Sequence, residues 1–124
     1  MDKVDIDKIE KIVKDREQER EKLLAYSPRI YNSFVDLNKN VFMDGILSKM
    51  QKELIALGIA LIINCEPCIE SHIRKALEAG AKEQHIIETI EVGIEMGGGP
   101  ATVSCRFALK VLEYYNSKKD IEPY

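Results

Sequence analysis

Along this chain apolar residues recur every three or four positions and almost nowhere alternate with polar ones, so the pattern predicts helices and no sheet. The first helix is expected over roughly Asp5 to Tyr26. Ile9, Ile12, Val13, Leu23 and Leu24 fall on helical spacing around the charged run "KDREQEREK", a solvated face whose thin apolar stripe could also lie across a neighbouring subunit. Ser27-Pro28 marks a second start, with the serine hydroxyl as cap and proline in the first turn. That helix should run to about Asn38 with Ile30, Phe34 and Leu37 on one face. After a turn at Asp44-Gly45, Ser48 and Gln51 form a capping-box pattern that opens a third helix, carrying Glu53 and the run "LIALGIALII" from Leu54 to Ile63.

Pro67 forces a break near Asn64 and sits where a new first turn would begin, which puts Cys68 inside that turn. Gly80 supplies the left-handed stop after about Ala79. Ile86, Ile87, Ile90 and Ile94 mark a fifth helix ending at "GGGP", Gly97 to Pro100, and a sixth runs to about Asn116 with Val103, Phe107, Val111 and Leu112 inward. The expectation is an all-α, single-domain bundle of about six helices spanning 1–124, with N-terminal helices in 1–43, a core in 44–116 and a loose tail in 117–124.

At 124 residues the chain can bury about two thirds of its unfolded surface without disulfide staples. A net charge of −3 without a basic cluster argues against nucleic acid as a partner. The apolar run at 54–63 is about half the length of a membrane span and the N-terminus lacks a signal-like apolar stretch, so a cytoplasmic protein with no membrane association is expected. The third helix is apolar on nearly every side from Leu54 onward. A chain of this size would struggle to cover it alone, which points to oligomerisation.

The chemistry concentrates in "NCEPCIESH", Asn64 to His72. Three cysteines in a reducing compartment read as catalytic or metal-binding rather than as a disulfide framework. Cys65 and Cys68 near a helix start have Cα atoms close enough to open and close a disulfide. His72 lies one helical turn beyond Cys68 on the same face. A cysteine with a pKa of about 8.5 is only about 3% thiolate at pH 7, and an imidazolium together with the positive end of a helix would raise that fraction. Cys68 is the expected activated thiol and Cys65 its partner.

Two other readings stay open on spacing alone. The cysteines could be small buried residues in an assembly protein, or they could join His72 and one of Cys105, His85 or Glu53 around zinc. Covalent haem would need histidine at position 69, where the chain has Ile69. No strand precedes the glycines of "GGGP", so no flavin or nicotinamide cofactor is expected. Taken alone, Glu53 reads as an exposed first-turn carboxylate. It lies roughly 18 Å along a straight helix from Cys65, reaching the cysteines only if the chain folds back. Cys105 reads as a small core residue and His85 as an exposed one.

Glu53, Cys65-Glu66-Pro67-Cys68 and His72, followed by "KALEAGAKEQHIIETIEVGIEMGGGPA", closely resemble the alkylhydroperoxidase D-like branch of the carboxymuconolactone decarboxylase superfamily over about Asp44 to Tyr115. The resemblance implies a redox pair at Cys65 and Cys68, with His72 and Glu53 as a proton relay. It further implies a peroxide or disulfide substrate, a separate dithiol electron donor, and a homo-trimer or homo-hexamer. In the best-known peroxidases of that branch a histidine directly precedes the second cysteine. Here Pro67 takes its place, which moves the expectation from efficient peroxidase towards general thiol-disulfide chemistry. Decarboxylating members lack the cysteine pair.

Overall fold

Each helix begins and ends on a short-range signal. In the computed structural model, which describes residues 1–119, those signals delimit six helices with no strand among the described residues: α1 (Lys3–Tyr26), α2 (Pro28–Val41), α3 (Lys49–Ile63), α4 (Glu66–Glu78), α5 (Glu83–Gly97) and α6 (Gly99–Lys119). Asp2 and Asp5 form a reciprocal capping box on α1, and Ser48 with Gln51 does the same on α3. Gly80 adopts φ 102° after α4, letting the Gly80 and Ala81 N–H groups return to the carbonyls of Leu77 and Ala76.

The Ser27 hydroxyl does not cap α2, contrary to expectation. Its ψ of 63° belongs to a residue shared by two helices, whereas Ser48, at ψ 160°, has the extended backbone that aims a side chain at free N–H groups. Ser27 instead uses its backbone, donating to the Leu23 carbonyl and accepting from Tyr31.

The core forms where α3, α4, α5 and α6 meet, with Leu57, Leu61, Ile69, Ile73, Ile86 and Val111 closed off from solvent. Only the first half of α1 joins it, through Ile9, Ile12 and the residues up to Arg16. Leu23 and Leu24 are exposed. Val103 is exposed as well, because the inward line of the first turns of α6 runs through Ala101, Ser104, Cys105 and Ala108; at about 100° per residue, position 103 falls on the far side. Residues 117–119 continue α6, and the rest of the expected loose tail lies outside the described residues.

Among the described residues, two apolar surfaces remain uncovered. Ile30, Phe34 and Leu37 of α2 share a face as expected, yet that face is exposed. Between α3 and α5, Ile55, Ile59, Ile62, Val92 and Met96 line an open groove of about 500 Å³.

The α5–α6 corner depends on Gly97. A Cβ there would lie 2.7 Å from both Ala101 Cβ and Ile62 Cδ1. Gly97→Ala is therefore expected to destabilise the fold by about 1–3 kcal/mol. A thermal midpoint equal to that of the parent would contradict the tight corner.

Candidate functional site

The site is made by the reversal between α3 and α4. Asn64 ends α3 in the left-handed conformation at φ 54°, which asparagine tolerates better than most residues, and the N–H groups of Asn64 and Cys65 both return to the Ala60 carbonyl. The buried Ser104 hydroxyl of α6 donates to Asn64 Oδ1 at 2.9 Å and braces the turn. Cys65 is the N-cap of α4, and the Cys68 N–H, in the first turn, donates to Cys65 Sγ at 3.3 Å. The two sulfurs are joined in a disulfide with Cα atoms 5.2 Å apart. Both cysteines are half-buried at the positive end of the helix.

Because α4 doubles back along α3, Glu53 meets His72. Its side chain is 1% exposed, not the solvated carboxylate its position suggests in isolation, and Oε1 accepts a 2.9 Å hydrogen bond from His72 Nδ1, 19 residues away in sequence. A carboxylate on Nδ1 leaves Nε2 of a neutral ring as the free acceptor. Lys49, one turn before Glu53, approaches Oε2 at 3.6 Å. Lys75, one turn past His72, is half-buried; burial pushes its ammonium pKa down while Glu53 pulls it back up. Glu53, His72 and the cysteine pair are thus placed along two adjoining helices.

Phe42 is a member of this group that sequence reasoning missed. It follows α2 and stacks on His72, with ring centroids 5.7 Å apart and planes 24° apart. Lys52 Nζ holds the segment down by donating to the carbonyls of Val41 and Met43 at 2.8 and 2.7 Å. Nothing in local spacing links position 42 to position 72.

A second polar group, also missed, lies behind the cysteine turn. Glu70 is 0% exposed, and its Oε1 pairs with Arg16 of α1 at 2.7 Å. Arg74 approaches Oε2 at 3.5 Å, and the Tyr115 hydroxyl donates to that same oxygen. Burial first, and then the neighbouring carboxylate, hold the Tyr115 phenol neutral by pushing its pKa well above the usual value. The signal was present in the sequence: Glu70 stands three residues before Ile73 and seven before Leu77, an acid on the buried stripe of its own helix.

His85 is half-buried, and its ring nitrogen accepts the Lys82 N–H, so it caps α5 instead of standing free in solvent. Cys105 is a buried core residue as expected, and burial pushes its thiol pKa up. Among the described residues no group of three or more His, Cys, Asp or Glu side chains is placed to hold a metal ion, so the zinc arrangement finds no ligand set there. No described helix is long and apolar enough to cross a membrane.

Residues 28–111 match the profile of the carboxymuconolactone decarboxylase family. An uncharacterised protein from the cox locus of Paracoccus denitrificans is 42% identical over 84 residues, covering 68% of this chain and 76% of the relative. A carboxymuconolactone decarboxylase family protein from Legionella pneumophila superposes with a TM-score of 0.78 at 32% identity, over 90% of this chain and 96% of that one. A Thermotoga maritima protein of this family, with a suggested part in the antioxidative response, superposes with a TM-score of 0.82 at 24% identity, over 92% and 97% of the two chains.

Proposed function

This chain belongs to the carboxymuconolactone decarboxylase family, and from that premise we propose that it is a thiol-disulfide oxidoreductase able to reduce hydroperoxides. The observation that carries this reading is the Cys65–Cys68 disulfide at the start of α4, with His72 one turn further on and hydrogen-bonded to buried Glu53. The antioxidative role suggested for the Thermotoga maritima protein points the same way.

In the proposed cycle the Cys68 thiolate attacks the peroxide, forming a sulfenic acid and releasing an alkoxide that takes a proton to leave as alcohol. The Cys65 thiol then displaces water from the sulfenic acid and closes the disulfide. A separate dithiol donor reduces it, becoming a disulfide itself. His72, oriented through Nδ1 by Glu53, moves protons at Nε2: it draws the proton from the Cys68 thiol and returns one to the leaving oxygen. A disulfide substrate follows the same route through a mixed disulfide. A cytoplasmic setting, where dithiol donors are kept reduced, suits this chemistry. The exposed face of α2 and the α3–α5 groove suit contacts between subunits of a homo-trimer or homo-hexamer.

Thiol counting tests the reading. After reduction, a mild oxidant is expected to remove two alkylatable thiols from the parent, a loss of two that neither Cys65→Ser nor Cys68→Ser shows. The buried Cys105, whose thiol pKa is raised, reacts only on unfolding. An unchanged thiol count in the parent would sink the redox proposal and leave an assembly protein with an idle cysteine pair.

A further inference from the structure

The two residues between the cysteines are both held by α1, which lies outside the stretch 28–111 that the family profile matches. Arg16 Nη2 donates to the Pro67 carbonyl at 2.8 Å while Nη1 pairs with Glu70 at 2.7 Å, and Lys8 Nζ pairs with Glu66 at 2.6 Å. The Lys8 pair is half-exposed and weak. The Arg16 link is different in kind: its anchor, Glu70, is fully buried and is itself fixed by Arg74 and the Tyr115 hydroxyl. One planar guanidinium thereby joins a core carboxylate to the peptide group between the two sulfurs, a two-ended contact that the single ammonium of lysine does not reproduce.

We propose that Arg16 is a positioning residue for the redox pair, holding the Cys65–Cys68 turn in the geometry that closes the disulfide. The proposal rests on the thiol-disulfide reading above. A turn held in place keeps the two sulfurs at high effective concentration, so releasing it favours the open dithiol. The relevant equilibrium is protein dithiol plus oxidised glutathione giving protein disulfide plus two reduced glutathione molecules.

The test equilibrates the full-length protein in glutathione buffers of graded ratio and quantifies free thiols by alkylation. Arg16→Met alone would strand a buried carboxylate, so it is paired with Glu70→Gln. In that double variant the equilibrium constant for disulfide formation should fall about tenfold, the scale of one charge-assisted hydrogen bond. Glu70→Gln alone, which keeps the donor to Pro67, should shift it by less than about threefold, and Arg16→Lys should fall between the two. A double variant that keeps its helical circular dichroism and the parent's equilibrium constant overturns the proposal. Should the double variant unfold, an Arg16→Lys equilibrium equal to the parent's overturns it instead. A parent protein that forms no disulfide at any glutathione ratio overturns the redox reading itself, a separate outcome from a parent that equilibrates while its variants do not shift.

Discussion

Cys68→Ser is expected to lower peroxide or disulfide turnover by at least about a thousandfold while leaving the fold in place. A serine hydroxyl does not ionise near neutral pH, whereas a cysteine at the start of α4 needs only a modest fall from its usual pKa of about 8.5 to be largely thiolate. The substitution changes one atom in a half-buried side chain, so the helical content should match the parent's. Cys65→Ser should behave differently. Its first attack still proceeds, leaving a sulfenic acid with no thiol to resolve it, so a single equivalent of peroxide is consumed and the reaction then stalls. Steady turnover by Cys68→Ser, measured as peroxide loss with a generic dithiol present, would remove Cys68 from the attacking role. A full burst from Cys68→Ser with none from Cys65→Ser would exchange the two roles.

The second large effect is expected at the Glu53–His72 pair. His72→Ala deletes the 2.9 Å partner of a carboxylate that is 1% exposed, leaving Lys49 at 3.6 Å as its nearest counter-charge. The loss of stability should be about 3 kcal/mol, the scale for breaking one side of a buried charged pair. His72→Asn keeps a donor for Glu53 while removing the base, so it should unfold close to the parent's midpoint and still lose roughly a hundredfold or more in rate. Both variants should raise the pKa that governs alkylation of the reactive cysteine, since the imidazolium that favours the thiolate is gone. A higher pKa means less thiolate at any pH below it, so alkylation at neutral pH slows and recovers as the pH rises. An alkylation profile in His72→Asn that superimposes on the parent's would exclude His72 as the activating group.

Phe42 and Arg16 show why part of this site escaped the sequence. Phe42 follows an amphipathic helix whose own apolar face finds no cover among the described residues, so its hydrophobic character gave no reason to place it against a histidine. Arg16 sits in the most densely charged stretch of α1, where neighbours such as Glu17 and Arg20 are exposed and solvated. Local composition assigns all of them to water. Only the docking of the first half of α1 beside α4 selects Arg16, and the selection is made by Glu70, a carboxylate with no water to turn to. The misplacement of Val103 has a related origin: a spacing of four joins it to Phe107, but the small residues Ala101, Ser104 and Cys105 let the core approach the opposite side of that turn.

The sequence by itself determined the elements and the proximity of the two cysteines. Helix boundaries at Ser48, Asn64 and Gly80 rest on backbone and capping requirements that act within about four residues, and Cys65 and Cys68 lie within one helical turn of each other wherever that turn is placed. Tertiary structure alone decided which charged groups leave water. Glu53 meets His72 across 19 residues and Arg16 meets Pro67 across 51, so each contact depends on how the helices pack. A carboxylate's partner matters most once packing has removed the solvent that would otherwise satisfy it, and periodicity along one helix carries no record of what lies against the next.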